Sequence, residues 1–481
     1  MVVAGSMIGT AIFIVPAQMA RDVGSPGWLL VAWVITGVLT LTAALSYGEL
    51  ASMFPRAGGQ YVFLREAFSP LLAFLYGWML FAVIQTGSIA ALSIGFARYA
   101  GVLWPAVAED NYVVPPIVVA PGYAVSLSTA QALGLVLIAL LTWTNGRGLT
   151  YGRWIQNGFT VAKLGALAGL ILVGVLFAGQ AEVIAQNLGN LWIPSSETEI
   201  APGISVATSF GLIIALLVTQ SGALFSADAW NNVTFAAHEV DRPARTVPIS
   251  LAIGTALVIG LYWATNVVYL AALPMERLQT APSDRVAEQV VDQAFPLWGG
   301  AGMAVAVMIS TFGCANGLIL TGARALYAMA RDHLFFSRAA SLNDRLVPAT
   351  ALWVQAAWAA ALALLRTYDP VSRRYGNLYS DLLDYVISAA LVFYILTVAA
   401  VFRLRRTRPH LERPYRTFGY PVVPAVYLIG ASAILSALIR YRSATTWPGL
   451  ALIVLGVPIY WAWRPRRNVR SDQPDLEAVP K

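Results

Sequence analysis

Charged residues are scarce in this chain. Only 11% of its 481 residues are Asp, Glu, Lys or Arg, and 58% are hydrophobic. A soluble domain carries roughly 25% charged residues. The composition therefore excludes a soluble globular protein and predicts one that crosses the lipid bilayer many times. The net charge of +7 does not indicate a nucleic-acid partner, because the basic residues fall in short segments between apolar runs, where they act as topology signals.

Cysteine, lysine and catalytic motifs are also nearly absent. The one cysteine, Cys314, stands in an apolar run, which excludes a disulfide within the chain. The lysines are Lys163 and Lys481. The sequence has no GxxxxGK[ST] loop, no HExxH, no paired His/Cys spacing and no GxSxG elbow, the motifs that indicate nucleotide hydrolysis, metal sites or acyl transfer. We therefore expect no cofactor, no metal and no enzymatic activity.

Apolar runs of about 20 residues, long enough to span a bilayer, recur along the chain. The twelve runs lie near 2–20, 28–53, 70–100, 127–145, 155–178, 203–236, 247–273, 297–330, 347–366, 380–402, 421–440 and 447–463. The connecting segments on one side carry 21 arginines and lysines, and those on the other side carry nine. Positive residues favour the cytoplasmic side. We expect a multi-pass protein of the inner (cytoplasmic) membrane with both termini in the cytoplasm.

The first apolar run is interrupted by small and polar residues. Residues 5–13 read GSMIGTAIF, and Pro16 follows. An unwound turn in hydrocarbon is tolerated only where it faces protein, water or a ligand, and free N–H groups at a helix start favour an anion. The stretch thus predicts a broken helix that binds a carboxylate. A second interpretation is a small-residue packing face, which Gly5 and Gly9 also fit.

The sixth run is interrupted in a similar way. Residues 219–232 read TQSGALFSADAWNN. Many transporters consist of two inverted halves that each begin with a broken helix, so the two interruptions favour that architecture. We expect a first repeat over 1–180, a second over 200–403, two further spans over 417–464 and a cytoplasmic tail over 465–481.

Asp228 and Lys163 are charged residues that lie well inside spans, where charge is unfavourable. Asp228 is expected to bind a cationic group of the substrate, or a proton. The alternative is a structural pair with Asn231 or Gln220. Lys163 is too deep for its stem to reach either surface easily. It is expected to bridge carbonyls of span 1 and hydroxyls of span 8, in the manner of a bound Na⁺, or alternatively to extend to the headgroups.

The hydroxyls predicted to meet Lys163 are those of Ser310 and Thr311. Around the interruption in span 6, Phe225, Trp230 and Asn231 are expected to line the pocket, and Phe225 and Trp230 are candidate gates. The alternative for both aromatics is ordinary helix packing, which is common within spans.

Several of these stretches resemble one family. Residues 5–13 resemble the first-span signature of the amino acid–polyamine–organocation superfamily, and the L-type amino acid transporter family is the most similar within it. The other matching stretches are 225–231 (its sixth span), 159–164 with Lys163 (its fifth), 310–317 (its eighth), 47–50 (its second) and 58–61 (the loop after the second). The resemblance implies an all-α polytopic membrane protein of about 12 helices, with a leucine-transporter-like 5+5 inverted repeat and two C-terminal helices.

The resemblance also implies roles for single residues. Those that would bind the substrate carboxylate, through backbone N–H groups and one hydroxyl, are Ser6, Gly9, Thr10 and Ala11. The carbonyls that would bind its ammonium belong to Met7, Ile8 and Phe225. Phe225 would be the outer gate, and Lys163 would replace a sodium ion.

The chain departs from the family pattern at several positions. Ala11 and Ala229 stand where the family usually has glycine, so we expect a smaller or differently posed substrate. The loop after span 3 has no cysteine, so no disulfide-linked heavy-chain partner is expected. Only four residues precede Gly5, and we expect a curtailed inner half of span 1.

The leading prediction is a sodium-independent secondary transporter of amino acids that works by exchange and alternating access. The alternative within transport is a proton-coupled amino acid or polyamine symporter that uses Asp228. An intramembrane enzyme or a sensor is the alternative from another class. An enzyme should show a polar catalytic cluster in its spans, and a sensor should carry a soluble output domain; the sequence shows neither.

Overall fold

The computed structural model describes residues 2–55, 58–148, 152–194, 198–201, 203–235, 237, 240–332, 334–345, 347–369 and 374–463. The predicted cytoplasmic tail over 465–481 lies outside these residues.

The described chain is built mainly of helices. In order, the α-helices are α1 (Val2–Met7), α2 (Ala11–Val23), α3 (Pro26–Met53), α4 (Gln60–Ala67), α5 (Pro70–Met79), α6 (Gln85–Leu103), α7 (Thr129–Gly146), α8 (Gly152–Val173), α9 (Ala181–Gly189), α10 (Ser209–Val218), α11 (Gln220–Ser226), α12 (Pro243–Ala272), α13 (Met275–Gln279), α14 (Val286–Ala294), α15 (Gly299–Arg331), α16 (Ala349–Leu364), α17 (Leu378–Thr407), α18 (Val422–Tyr441) and α19 (Ser443–Trp463). A π-helical turn, Leu80–Ile84, joins α5 to α6, and another, Gly174–Ala178, follows α8. Short 3₁₀ helices are Trp230–Thr234, Pro282–Asp284 and Ser337–Ala340.

Two small sheets form from strands in three connectors of the described chain. The strands β1 (Tyr112–Ala120), β2 (Tyr123–Ser128), β5 (Leu365–Asp369) and β6 (Arg374–Tyr375) form a sheet in the order β1-β2-β5-β6, and β3 (Glu199–Ala201) pairs with β4 (Ile204–Ser205). All the pairings are antiparallel, and Tyr123 lies opposite Thr367. The sheet therefore ties the connector after α6 to the connector before α17, which the sequence did not predict.

Within the described ranges, ten helical segments are long and apolar enough to cross a membrane. The apolar helix α16 has 16 residues, below the roughly 20 of a full span, and the first predicted span is divided into α1 and α2. The structure confirms a helical, polytopic fold, whereas the number twelve stays a prediction.

The long helices pack around the divided ones. The helix α12 lies along α3, and α15 lies along α6. A Cβ at Gly37 of α3 would lie 2.6 Å from Ile259 Cγ2 of α12, so the close approach of these helices requires glycine there. The helix α2 is buried along most of its length and packs against α11. The two interrupted spans thus meet inside the bundle.

Candidate substrate-binding site

The first span is interrupted between α1, which ends at Met7, and α2, which begins at Ala11. Among the described residues, none accepts a hydrogen bond from the backbone N–H groups of Gly9, Thr10 or Ala11. Thr10 does not cap α2 with its side chain. The start of this thirteen-residue helix therefore presents unpaired donors and the positive end of its dipole, as the sequence predicts for an anion site.

The sixth span is interrupted after α11. Residues 227–229 leave the helix, and the 3₁₀ helix Trp230–Thr234 follows. Ala229 has a φ of 64°, in the left-handed region, where a residue with a Cβ is disfavoured by roughly 1–2 kcal/mol. Phe225 O accepts a hydrogen bond from the Asp228 N–H at 3.1 Å, which tightens the turn and places Asp228 at its apex.

A cavity lies between the two interruptions, and the space without protein atoms around it, including the part open to solvent, is ≈ 600 Å³. Its walls include seven of the predicted site residues: Ser6, Met7, Gly9, Ala11, Phe225, Asp228 and Asn231. The lining residues that the sequence did not indicate include Tyr76, Gln85 and Ser88 from the third span, Cys314 from α15 and Tyr394 from α17. We call this space the central cavity.

Three of the residues predicted to bind the substrate or line the pocket do not line the central cavity. Ile8 is fully buried. The Thr10 hydroxyl lies 3.1 Å from the Tyr379 hydroxyl, away from the cavity, so a role for Thr10 depends on its backbone N–H. Trp230 packs edge-to-face on Tyr47 with ring centroids 4.7 Å apart. Trp230 is not among the residues that line the central cavity, so its contacts here are those of helix packing, and its predicted role as a gate stays a prediction.

The carbonyls predicted to bind the substrate ammonium have protein partners. Met7 O accepts from the Tyr262 hydroxyl at 3.1 Å, and Phe225 O accepts from Asp228 N–H, as described above. A carbonyl oxygen has two lone pairs. Each of these oxygens can therefore accept a second hydrogen bond from a ligand.

The Asp228 carboxylate has a partner that the sequence did not indicate. Its Oδ1 accepts a hydrogen bond of 2.6 Å from the Tyr394 hydroxyl of α17. The alternative partners from the sequence are engaged elsewhere: Asn231 donates to Gln60 Oε1 at 3.3 Å, and Gln220 donates to Ala32 O at 3.1 Å. Asp228 therefore stays open to the central cavity on one side and is held by a neutral donor on the other.

Lys163 is 2% exposed, and its Nζ donates to Gly5 O at 2.8 Å. This contact joins α8 to α1 and argues against a lysine that extends to the headgroups. The contact requires a close approach, because a Cβ at Gly5 would lie 2.4 Å from Thr160 Oγ1.

The predicted bridge from Lys163 to span 8 is not formed. The Thr311 hydroxyl donates to Val307 O at 2.7 Å within its own helix. The Ser310 hydroxyl is buried and has no hydrogen-bond partner among the described residues. Because α1 ends at Met7, no backbone N–H of the described residues donates to Gly5 O, and the Lys163 ammonium donates to that carbonyl instead.

An ion-pair cluster closes the space beyond the outer ends of α2 and α6. Arg98 is almost fully buried, pairs with Glu109 and lies 3.2 Å from Asp284 Oδ2. Arg21 lies 2.7 Å from Asp284 Oδ1. Burial by itself would raise the pKa of Asp284, but Arg98 and Arg21 outweigh it and hold the pKa below the ordinary aspartate value. The cluster joins spans 1 and 3 to the connector before α14.

No group of three or more His, Cys, Asp or Glu side chains in the described ranges is placed to hold a metal ion. The site consists of helix-end N–H groups, carbonyl oxygens and one carboxylate around a partly apolar cavity. Such a site can bind a small zwitterion without a cofactor.

The sequence pattern of the family described as "Amino acid permease" matches residues 1–462. The chain belongs to the amino acid permease family. This membership confirms the predicted resemblance to the amino acid–polyamine–organocation superfamily.

Individual relatives also match nearly the whole length of this permease. Large neutral amino acids transporter small subunit 2 of Rattus norvegicus is 28% identical over 97% of this chain and 80% of its own length. The b(0,+)-type amino acid transporter 1 of the same organism is 30% identical over 94% of this chain and 83% of its own length. Asc-type amino acid transporter 1 of Mus musculus is 28% identical over 96% of this chain and 80% of its own length. The names of the family and of these relatives indicate transport rather than enzymatic catalysis.

Proposed function

We propose that this permease carries amino acids across the cytoplasmic membrane by sodium-independent exchange. One observation carries the proposal: two interrupted spans meet at a cavity, with unpaired N–H groups of the first span on one wall and Phe225 O and Asp228 of the sixth on the other. An α-amino acid has a carboxylate for the first wall and an ammonium for the second.

The proposed binding mode follows the walls of the central cavity. The substrate carboxylate accepts from the N–H groups of Gly9, Thr10 and Ala11 and from the Ser6 hydroxyl. Its ammonium donates to the carbonyls of Met7, Ile8 and Phe225. Ala11 and Ala229 each place a methyl group at the cavity, which favours a small substrate or a tilted pose.

We propose alternating access because the central cavity is closed at one end and continues at the other. The lining of the central cavity continues past the interruption to Asn232 and Phe235, toward the end of span 6 that the arginine distribution assigns to the cytoplasm. The opposite end is closed by the Thr10–Tyr379 contact and by the cluster around Arg98. These features support an inward-facing state in the proposed orientation, in which both termini lie in the cytoplasm.

The sodium independence of this proposal depends on Lys163. Its ammonium occupies a buried position next to α1 and donates to Gly5 O, so a fixed positive charge is already present where a transported cation would act. Cys314 is buried beside Ser6 and is the chain's one cysteine. The proposal therefore includes no disulfide-linked heavy chain.

Exchange is tested with the purified permease in proteoliposomes. Uptake of a labelled amino acid is measured with and without unlabelled amino acid inside, in sodium and in choline buffer. We expect internal amino acid to accelerate uptake and sodium to have no effect. Equal uptake into empty and loaded vesicles would contradict exchange, and a sodium requirement would contradict the role of Lys163.

A second candidate is proton-coupled symport, which the Asp228–Tyr394 hydrogen bond favours. A carboxylate that faces the cavity and is held by one phenol can gain and lose a proton during the cycle. In this case an inward proton gradient would drive uptake into empty vesicles, and Asp228→Asn would abolish that effect. Tyr394→Phe, which keeps the carboxylate, would retain it with an altered pH dependence.

A further inference from the structure

A second and larger cavity, of ≈ 930 Å³, lies near the outer ends of spans 1, 6 and 10. Its walls include Asp22, Ser221, Asp381, Asp384 and Arg442. We call it the outer cavity. None of its lining residues also lines the central cavity.

Two of its acidic residues are already neutralised by arginine. Asp22 Oδ1 lies 3.1 Å from Arg442 Nη2. Asp284, which also lines the outer cavity, pairs with Arg21 and Arg98, as described above. These pairs account for the basic side chains that contact the cavity's carboxylates.

The other two acidic residues have only neutral partners among the residues that the structure describes. Asp381 Oδ2 accepts from the Thr367 hydroxyl at 2.7 Å and from its N–H at 3.1 Å. Asp384 Oδ2 accepts from the Thr445 hydroxyl at 3.2 Å. Both are less than a tenth exposed. Buried carboxylates are seldom left without a positive partner, so the pair favours a cation that comes from outside the chain.

Arg442 lines the same cavity and has guanidinium N–H groups that donate to no described residue. Its Nη2 contacts Asp22, whereas Nε and Nη1 have no acceptor in the described part of the chain, and the side chain is 35% exposed. Its charge acts on Asp381 and Asp384, yet neither carboxylate forms an ion pair with it. The cavity therefore holds separated charges of both signs, with space between them.

The outer cavity lies directly beyond the central cavity. Ser221 and Gly222 of α11 line the outer one, and Phe225 lines the central one. Four residues of helix correspond to about 6 Å. Tyr379, whose hydroxyl contacts Thr10, lines the floor of the outer cavity. Phe225 and the Tyr379–Thr10 contact therefore lie between the two cavities.

We propose that the outer cavity is a transient binding site for a zwitterionic α-amino acid, which it holds before transfer past Phe225. The inference rests on the function proposed above. The substrate carboxylate accepts from the free N–H groups of Arg442, a geometry that guanidinium groups favour. The ammonium donates to Asp384 and Asp381. A ligand with only a positive charge has no carboxylate to accept from Arg442. A ligand with only a negative charge is repelled by Asp381 and Asp384. The site therefore favours a zwitterion.

The test measures KM from each side of the membrane. Asp384→Asn keeps the size of the side chain and removes its charge. We expect the KM for external amino acid to rise roughly tenfold, the loss of one charge-assisted contact, with the internal KM unchanged. Arg442→Gln should act on the same parameter. Glu276→Gln removes a negative charge from an exposed residue of α13 outside the cavity and is the matched control.

Equilibrium binding gives a second measurement for variants that transport poorly. Labelled amino acid should bind the purified permease in two classes, and Asp384→Asn should lose the weaker one. An external KM equal to that of Glu276→Gln, or an equal rise on both sides, would overturn the outer site. Failure of the unmodified permease to exchange amino acids would instead refute the proposed function.

Discussion

Lys163→Met removes the ammonium from α8 and keeps a side chain of similar length. The Gly5 carbonyl then loses the donor at 2.8 Å, in a place that is almost fully buried. A hydrogen bond to a charged group contributes roughly 1.5–3 kcal/mol. The flexible methionine fills most of the vacated volume, so little is added by a cavity.

The lost hydrogen bond should lower the population of the arrangement in which α1 is packed on α8. At about 1.4 kcal/mol for each factor of ten, that arrangement should become roughly 10- to 150-fold less favoured. The N–H groups of Gly9, Thr10 and Ala11 are positioned by that arrangement. We therefore expect kcat/KM for exchange to fall by a similar factor, with a lower Tm in detergent.

The assay is exchange in sodium-free proteoliposomes, with Lys163→Arg and Leu164→Met as controls. Lys163→Arg keeps the charge and should retain part of the activity. Leu164→Met makes a similar apolar side chain one position along α8 and should behave as the unmodified permease. Full activity of Lys163→Met in sodium-free buffer would refute the reasoning, because the ammonium would then hold nothing that transport needs.

Three further predictions concern other parts of the molecule. Cys314 lines the central cavity and is the one cysteine of the chain, so a maleimide should label the chain once. Saturating substrate should slow that labelling, and an unchanged labelling rate would place the substrate elsewhere. Ala229→Gly should raise Tm slightly in a thermal melt, because the left-handed turn disfavours alanine by roughly 1–2 kcal/mol and glycine returns about 0.5–1 of this as chain entropy; a lower Tm would contradict the strain. The depressed pKa of Asp284 contributes stability above the unfolded aspartate pKa of about 3.9, which is lost as pH falls through the folded pKa. Asp284→Asn should therefore flatten the acid limb of Tm against pH, and an unaltered limb would show that other groups dominate.

Much of the central site follows from local sequence. Glycine, serine and threonine are concentrated at 5–10 and weaken a helix within a span, so an interruption near Met7–Ala11 can be predicted from the sequence. The same holds for residues 227–229, where small side chains and an acid meet in one span. Seven of the predicted residues line the central cavity because they lie in or next to these interruptions.

The hydrogen-bond partners of those residues cannot be predicted from the sequence. Tyr394 holds Asp228 from 166 positions away, and Tyr379 meets Thr10 from 369 positions away. Nothing in the sequence around a tyrosine within an apolar run shows which face of its helix meets which neighbour. Trp230 illustrates the same limit, since its indole packs on Tyr47 and does not line the central cavity.

The sequence by itself determined that this is a membrane protein, that its first and sixth spans are broken, and that its family is one of amino acid permeases. Composition and small-residue patterns are local properties, and hydrocarbon tolerates few ways to satisfy a backbone. Only the tertiary structure decided that Lys163 binds Gly5 rather than span 8, and that Asp381, Asp384 and Arg442 share one outer cavity. Those outcomes depend on which helices lie side by side, because partners for buried charge come from packing across the bundle.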